Sequence, residues 1–259
     1  MAVGEVHRDE IWRRQAGRGY GSSALDFELE VATPMATFVL VHGSTHSARA
    51  WDLVKSELER QHQSVITPEL PADEATAGAT RFADVIAASI QETEHPIVVA
   101  HSASGWFLPL VAGRRRVQRL VFLAAAIPRL GMSFLELLKA EPDMINPAWL
   151  GKDPRVEAVA DEFLFHDCPP DRRSWAHATI RVVNARQVMV ERYPLEQWPE
   201  APVSCIVCAE DRTIQPSWSR RIAKSQLRVE PLELPGGHCP YVSRPRKLTE
   251  MLIQIAGSQ

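Results

Sequence analysis

The stretch VVAHSASG, residues 98–105, decides the fold. Its first half belongs to an uninterrupted, β-branched apolar run of the kind found in buried parallel strands. From Ala103 onward the apolar residues return at helical spacing, so the chain must turn sharply from strand to helix at Ser102. The small residues Ala100 and Ser104 flank this turn and let the two backbones approach closely. A serine at such a turn exposes its hydroxyl, although a serine that only caps the helix is the plain alternative.

Strand-like and helix-like segments alternate on both sides of this stretch, which is typical of crossover units on a parallel sheet. We predict strands at 37–41, 64–66, 96–100, 120–125, 203–208 and 227–234, and helices at 51–61, 80–93, 103–112, 218–224 and 245–255. The alternation breaks at about residues 131–200, where helical patterns at 134–138, 156–163 and 175–189 occur without a buried strand. We therefore expect an α/β fold, a mostly parallel sheet flanked by helices, with a helical cap inserted over its carboxyl edge. Open α/β sheets bind their ligands at that edge.

The first 34 residues differ from the rest of the chain. Residues 1–23 are charged and glycine-rich and lack the apolar segment of a secretion signal. Residues 25–31 alternate apolar and acidic side chains, as an edge strand would. We expect an N-terminal extension over 1–34, a tail plus this strand, followed by one domain over 35–259. Because Met35 directly precedes the first buried run, the extension is interpreted as accessory or as a misassigned start.

Composition excludes several classes of protein. With 259 residues, 45% hydrophobic and 24% charged, the chain can bury a full core and is not a disordered or fibrous protein. A net charge of −3 offers no field that would attract nucleic acid or anionic lipid. No segment approaches the roughly 18 apolar residues of a membrane helix, and four cysteines are too few and too unevenly spaced for a disulfide framework. We expect a cytoplasmic protein with neither a nucleic-acid nor a membrane partner, and a homodimer stays open.

Polar residues with catalytic chemistry follow three of the predicted strands. HGSTH, residues 42–46, follows the first strand, Asp211 follows the strand 203–208, and His238 follows the last strand. Taken singly, a loop aspartate usually caps a helix and a histidine after Gly-Gly is usually a turn residue. Ser102, Asp211 and His238 occur along the chain in the order Ser, acid, His. All three follow strands at the same edge of the sheet, where their side chains can meet. Asp211 is the better acid, with its neighbour Glu210 as the competitor.

A zinc site is the rival interpretation of the two histidines at 42 and 46. A zinc pair at this spacing requires a helix and usually an intervening glutamate. Here a strand ends at Gly43 and no acid lies between the histidines, so we expect no metal.

The turn at Ser102 resembles the nucleophile elbow of the α/β-hydrolase superfamily, Gly-x-Ser-x-Gly, with Ala100 and Ser104 in place of the glycines. Residues 205–216, 236–238 and 242–245, together with the HGSTH loop, are similar to the plant methylesterase and hydroxynitrile-lyase branch and its bacterial carboxylesterase relatives. The resemblance covers about residues 35–258. Lyases of this branch carry Thr after the first loop histidine and Lys after the catalytic histidine. Gly43 and Cys239 stand there instead, which favours an esterase.

The resemblance implies that Ser102 is the nucleophile, that His238 is its base, and that Asp211 orients the histidine. It also implies that the backbone N–H groups of Ser44 and Ala103 form the oxyanion hole, so that no cofactor is needed. Candidate substrate-binding residues are Gly43, Trp106, Phe134, Trp149 and Cys239. We predict a serine hydrolase that cleaves a small or medium apolar carboxylic ester through an acyl-enzyme. The alternatives are a thioesterase, a lyase-type use of the triad, and a non-catalytic ligand-binding protein on the same scaffold.

Overall fold

Six parallel strands form one sheet within the described residues. The structure is a computed structural model that describes residues 35–90 and 93–258. In chain order the strands are β1 Thr37–Val41, β2 Ser64–Ile66, β3 Ile97–His101, β4 Arg119–Leu123, β5 Val203–Cys208 and β6 Leu232–Leu234. They lie in the order β2-β1-β3-β4-β5-β6, so the predicted α/β fold class is confirmed. The predicted extension over 1–34, with its edge strand at 25–31, lies outside the described residues.

Helices connect the strands and close the chain. Those in the described residues are α1 Asp52–Arg60, α2 Ala79–Ser89, α3 Leu108–Ala112, α4 Phe134–Ala140, α5 Glu157–Phe163, α6 Arg173–His177, α7 Arg186–Val190, α8 Pro216–Ile222, α9 Pro240–Ser243 and α10 Pro245–Gly257. Short 3₁₀ helices span Ala48–Trp51, Ser102–Phe107 and Pro170–Arg172. Within the described residues, no helix combines the length and the apolar character needed to cross a membrane.

The central strands β1, β3, β4 and β5 are mostly buried on both faces, which explains why they are predominantly apolar runs, whereas the edge strands β2 and β6 are partly exposed. Val39 and Val98 pack into the layer that contains α2, α3 and α8. Their neighbours Leu40 and Val99 pack into the layer that contains α1 and α10. Successive strand residues point to opposite faces, so each run must be apolar at every position.

At the carboxyl edge of the sheet, the neighbouring strands β1 and β3 end side by side. Their ladder ends with Val41 paired to Ala100. The chain leaves β1 toward β2 on one side and reaches β3 on the other, which makes this boundary the topological switch point. The loop after β1 and the turn after β3 therefore meet at the carboxyl edge.

The segment between β4 and β5 carries α4 to α7 and, among its described residues, no sheet strand. The predicted helix over 175–189 is wrong, because α6 ends at His177 and α7 starts at Arg186. The stretch between them hydrogen-bonds through the N–H groups of Arg181 and Val183 to the loop after β1. These tertiary bonds replace the helical bonds that the spacing of apolar residues had suggested.

Two other predicted elements change in extent. The predicted strand over 227–234 is shortened to Leu232–Leu234, because a π-helical turn over Ala223–Leu227 ends in Arg228, which has φ of 59°. A left-handed residue at that point reverses the chain and delays the strand. The predicted helix over 103–112 starts as the 3₁₀ helix Ser102–Phe107 and becomes α-helical only at Leu108.

Candidate active site

Ser102 occupies a strained turn between β3 and the following 3₁₀ helix. Its φ of 57° lies in the left-handed region, which costs a non-glycine residue about 1–3 kcal/mol. The carbonyl of Ser102 accepts a hydrogen bond of 2.9 Å from the Ala126 N–H, beyond the end of β4. At Gly105 an added Cβ would lie 2.4 Å from the Ala126 oxygen. The close approach that the sequence assigned to Ala100 and Ser104 is therefore most severe at Gly105.

His238 and Asp211 reach Ser102 through two hydrogen bonds. His238 Nε2 lies 3.0 Å from Ser102 Oγ, and His238 Nδ1 lies 2.7 Å from Asp211 Oδ2. Because an ionised carboxylate can only accept, the Nδ1–H donates to Asp211, and Nε2 is left to accept the Ser102 hydroxyl proton. His238 and Asp211 are buried, whereas Ser102 keeps part of its surface accessible. The three predicted residues are thus brought together in one chain of hydrogen bonds.

The second oxygen of Asp211 is held by the residues that follow it. Oδ1 accepts hydrogen bonds from the Thr213 N–H at 2.7 Å, the Thr213 hydroxyl at 3.0 Å and the Ile214 N–H at 3.1 Å. These three donors fix the orientation of the carboxylate. The competitor Glu210 is exposed, and its N–H donates to the Gly236 carbonyl. Asp211, and not Glu210, is the carboxylate that contacts His238.

Two buried histidines, His46 and His101, lie close to His238, and burial favours their neutral forms. His101 Nε2 lies 2.8 Å from the His238 carbonyl oxygen, and the Tyr241 hydroxyl lies 3.4 Å from His101 Nδ1 and 3.3 Å from His46 Nδ1. Burial, followed by the proximity of His238 and His42, lowers the pKa of His46 to about 3. Burial, followed by the proximity of His238 and His46, also holds the pKa of His101 well below its usual range. An uncharged His101 can donate Nε2–H to the carbonyl of His238 without placing a second cation beside it.

The loop after β1 presents its own backbone to Ser102. Gly43 is in contact with the turn, since an added Cβ would lie 2.8 Å from His101 Nδ1 and 2.9 Å from Ser102 Cβ. The Gly43 carbonyl accepts the Nδ1–H of His42 at 2.9 Å and the N–H of His46 at 3.3 Å. His42 Nε2 accepts a hydrogen bond of 3.1 Å from the Leu70 N–H.

The backbone N–H groups of Ser44 and Ala103 are the predicted oxyanion donors, and each belongs to a peptide whose carbonyl is already engaged. The carbonyl of the Gly43–Ser44 peptide is bonded to His42 and His46, and that of the Ser102–Ala103 peptide to Ala126. N–H and C=O point in opposite directions in a trans peptide, so these bonds aim both N–H groups away from their carbonyl partners. Neither N–H donates a hydrogen bond within residues 35–90 and 93–258.

The segment between α6 and α7 pairs antiparallel with this loop. The Val183 N–H donates to the Ser44 carbonyl at 2.7 Å, and the Arg181 N–H donates to the Thr45 carbonyl at 3.0 Å. The Arg181 guanidinium also bonds Glu69 at 2.7 Å and Asp73 at 2.8 Å. The loop is therefore held from the side of the inserted helices as well as from β1.

The other predicted substrate-binding residues occupy different environments. Trp106 and Phe134 pack together with ring centroids 5.1 Å apart, and Trp149 packs against Phe163 at 5.4 Å. The exposed fraction is 0% for Trp106 and 1% for Cys239, so neither presents surface to a ligand in this structure. For all of them a substrate contact stays a prediction.

Sequence reasoning missed two features of the site. The first is the role of Thr213 in holding Asp211, although an Asp followed two residues later by Thr is a known signal for a side-chain-capped turn. The second is the hydroxyl of Ser104, which donates to the His42 carbonyl. The sequence indicated only that a small residue is needed at this position. In the described part of the chain, no cluster of three His, Cys, Asp or Glu side chains could hold a metal ion.

Comparison with known proteins agrees with the branch resemblance. The chain is 25% identical over 251 residues to Methylesterase 7 of Arabidopsis thaliana, covering 85% of this chain and 95% of that protein. It is 24% identical to Norfluorocurarine synthase 2 of Strychnos nux-vomica, covering 88% and 98%. The crystal structure of a pyrethroid hydrolase from Sphingobium faniae JZ-2 shares the fold, with a TM-score of 0.72, 20% identity, and coverage of 86% of this chain and 98% of that one.

The family follows from a match that spans most of the described residues. Residues 38–251 match the model of the Alpha/beta hydrolase family, and this range contains β2 to β6 and all of β1 except Thr37, together with Ser102, Asp211 and His238. The chain belongs to the Alpha/beta hydrolase family.

Proposed function

We propose that this protein is a serine esterase that cleaves a small or medium apolar carboxylic ester through an acyl-enzyme. The observation that carries the proposal is the hydrogen-bonded chain from Ser102 Oγ through His238 to Asp211 Oδ2, with distances of 3.0 and 2.7 Å. Such a chain activates a hydroxyl that is otherwise a weak nucleophile near neutral pH.

The proposed reaction has two halves. His238 Nε2 takes the proton from Ser102 as Oγ attacks the ester carbonyl, and Asp211 stabilises the imidazolium that forms. The N–H groups of Ser44 and Ala103 donate to the oxyanion, and each donor of this kind typically contributes about 3–4 kcal/mol to the transition state. His238 then returns the proton to the departing alcohol. Water repeats the sequence on the acyl-enzyme and releases the acid.

An ester substrate is favoured by the relatives and by two positions next to the site. The relatives include a methylesterase, and the structural neighbours include a pyrethroid hydrolase. Gly43 and Cys239 stand where the lyases of the resembled branch carry Thr and Lys. Cys239 offers no cation to a departing cyanide, because a thiol is either neutral or anionic. Burial raises the pKa of this thiol well above its usual range, which favours the neutral form.

The first test replaces the proposed nucleophile. We expect Ser102→Ala to lower kcat for a short-chain p-nitrophenyl ester by about a million-fold, the loss typical when a triad nucleophile is removed. The wild-type protein should show a burst of p-nitrophenol and should be labelled at Ser102 by a fluorophosphonate. Ser89→Ala, which removes a hydroxyl on α2 that donates to the Ile86 carbonyl, is the control and should keep both properties.

The outcomes separate the alternatives. Substantial turnover by a folded Ser102→Ala variant would refute the serine mechanism. Absence of both labelling and turnover in the wild-type protein, across a panel of esters and acyl thioesters, would favour the ligand-binding alternative. Faster turnover of thioesters than of esters with the same acyl group would identify a thioesterase.

A further inference from the structure

The hydroxyl of Ser104 links the two halves of the proposed oxyanion hole. Ser104 Oγ donates a hydrogen bond of 2.5 Å to the main-chain carbonyl of His42. Ser104 is the residue after Ala103, and the His42 carbonyl belongs to the peptide that precedes Gly43–Ser44. The bond therefore connects positions directly adjacent to the two proposed donors, Ala103 N–H and Ser44 N–H.

The sheet itself does not hold these two segments in register. The β1–β3 ladder ends at the pair Val41 and Ala100, before either donor is reached. In the described part of the chain, no other direct hydrogen bond joins residues 42–46 to residues 101–105. Gly43 packs against His101 and Ser102, and the His46 ring lies edge-on to the His101 ring with centroids 6.4 Å apart. Packing of this kind limits the approach of the two backbones but not the sliding of one along the other.

The environment makes this bond strong and specific. Ser104 is 1% exposed and His42 is fully buried, so water cannot replace the hydroxyl as the donor. A buried carbonyl that loses its partner is costly, which holds the two backbones at the separation the bond sets. The resembled hydrolases carry glycine at this position, and glycine has no hydroxyl with which to make the link.

We propose that Ser104 is a positioning residue that sets the distance between the Ser44 and Ala103 N–H groups and so aligns both with the oxyanion. The proposal rests on the serine esterase function proposed above. Ser104 touches neither the substrate nor the hydroxyl of Ser102 in this role. It acts through the backbone of His42, and its effect belongs to the transition state, in which the oxyanion exists.

The test removes the hydroxyl while keeping a small side chain. We expect Ser104→Ala to lower kcat about ten-fold with little change in KM, less than the roughly 100-fold or greater loss that follows complete removal of one oxyanion donor. Ser104→Gly, which restores the literal Gly-x-Ser-x-Gly spacing at this position, should be slow as well. Ser104→Thr retains the hydroxyl and should recover most of the activity if it folds.

A transition-state analogue distinguishes positioning from a general loss of structure. A trifluoromethyl ketone adds to the nucleophile and leaves an oxyanion, so its inhibition constant should rise by the same factor by which kcat/KM falls in Ser104→Ala and Ser104→Gly. Ser89→Ala is the matched control, because it removes a hydroxyl-to-carbonyl bond of 2.7 Å on α2. We expect Ser89→Ala to change neither the inhibition constant nor kcat, whatever its melting temperature.

The results separate the two proposals. If the serine esterase proposal is wrong, the Ser102→Ala variant will keep its activity. If Ser102→Ala is inactive while Ser104→Ala has wild-type kcat and wild-type affinity for the ketone, the positioning role alone is wrong. A Ser104→Ala variant that loses kcat but binds the ketone as tightly as wild type would also overturn it.

Discussion

Asp211 has both of its oxygens committed, one to His238 and one to the turn formed by Thr213 and Ile214. This arrangement fixes the position of the carboxylate and favours the ring tautomer that leaves Nε2 free to accept a proton. Glu210 has a longer side chain and lies next to it, but it is exposed and makes no contact with the ring. The two neighbouring acids are therefore predicted to differ greatly in importance.

Exchange of each acid for its amide measures this difference. We expect Asp211→Asn to lower kcat about 10⁴-fold, because the amide favours the wrong tautomer of His238 while preserving the shape of the site. Glu210→Gln should stay within two-fold of wild type. Ester hydrolysis by the two variants at equal protein concentration provides the comparison, and a severe loss in Glu210→Gln with a mild one in Asp211→Asn would reverse the assignment.

Much of the site was predictable at the level of single residues, since Ser102, Asp211 and His238 each follow a strand and stand in a recognised order. The contacts that hold these three residues in place could not be predicted in the same way. Nothing in the local sequence indicates that the Ser104 hydroxyl would reach the His42 carbonyl, because the two residues are 62 positions apart and meet only through sheet pairing. Supporting hydrogen bonds of this kind depend on tertiary geometry, which spacing and residue type do not encode.

At the scale of elements, the turn after β3 is limited by the space behind it. A Cβ at Gly105 would approach the Ala126 oxygen to 2.4 Å and Ala125 Cβ to 2.8 Å. Both neighbours lie in the segment directly after β4, and the backbone oxygen cannot rotate away as a flexible side chain would. The packing of the turn on β4 thus requires a glycine three residues after Ser102.

Alanine at two glycines of the same region tests this requirement. Gly105→Ala should lower the free energy of unfolding by about 1–3 kcal/mol, the usual cost of overpacking, and should reduce esterase activity because the turn shifts. Gly113→Ala is the matched control, since its nearest neighbour would be an ordinary 3.5 Å contact and its φ is −68°. Chemical denaturation of both variants measures the difference, and equal stability would contradict the packing argument.

Elements buried in the sheet were predicted more accurately than those above it. The strands 37–41, 64–66 and 203–208 match their predicted limits, because apolar runs and their flanking turns carry enough information. The segment 178–185 was predicted as helix, but after a turn at its start it leaves the helix and bonds to residues 44–47 through Thr179, Arg181 and Val183. A segment whose backbone partners lie more than 130 residues away cannot be identified from its own spacing of apolar residues.

At the scale of the whole molecule, buried histidines couple stability to pH. The pKa of His46 is lowered to about 3 by burial, and that of His101 is lowered well below 6.5 for the same reason. Both histidines bind a proton in the unfolded chain at a pH where the folded protein excludes it. Their contribution to stability is thus fully present above about pH 6.5 and is lost as the pH falls toward the lowered pKa values.

We expect the free energy of unfolding to fall between pH 6.5 and pH 5, by up to about 1.4 kcal/mol per pH unit for each of the two histidines. Urea denaturation at several pH values in this range measures the slope. His46→Gln should reduce the slope by the share of one histidine, whatever its effect on absolute stability. An unchanged slope in this variant would show that His46 titrates normally in the folded protein.

The pairing of residues 179–183 with residues 44–47 has a consequence for selectivity. The inserted segment is joined by its main chain to the same loop that carries the Ser44 N–H, so a displacement of this segment would also move that loop. An acyl group bulky enough to displace that segment would also move the Ser44 N–H away from the position at which it is proposed to bind the oxyanion. Esters with oversized acyl groups would then be turned over with a lower kcat as well as bound more weakly. Substrate size would in this way act directly on the proposed oxyanion hole.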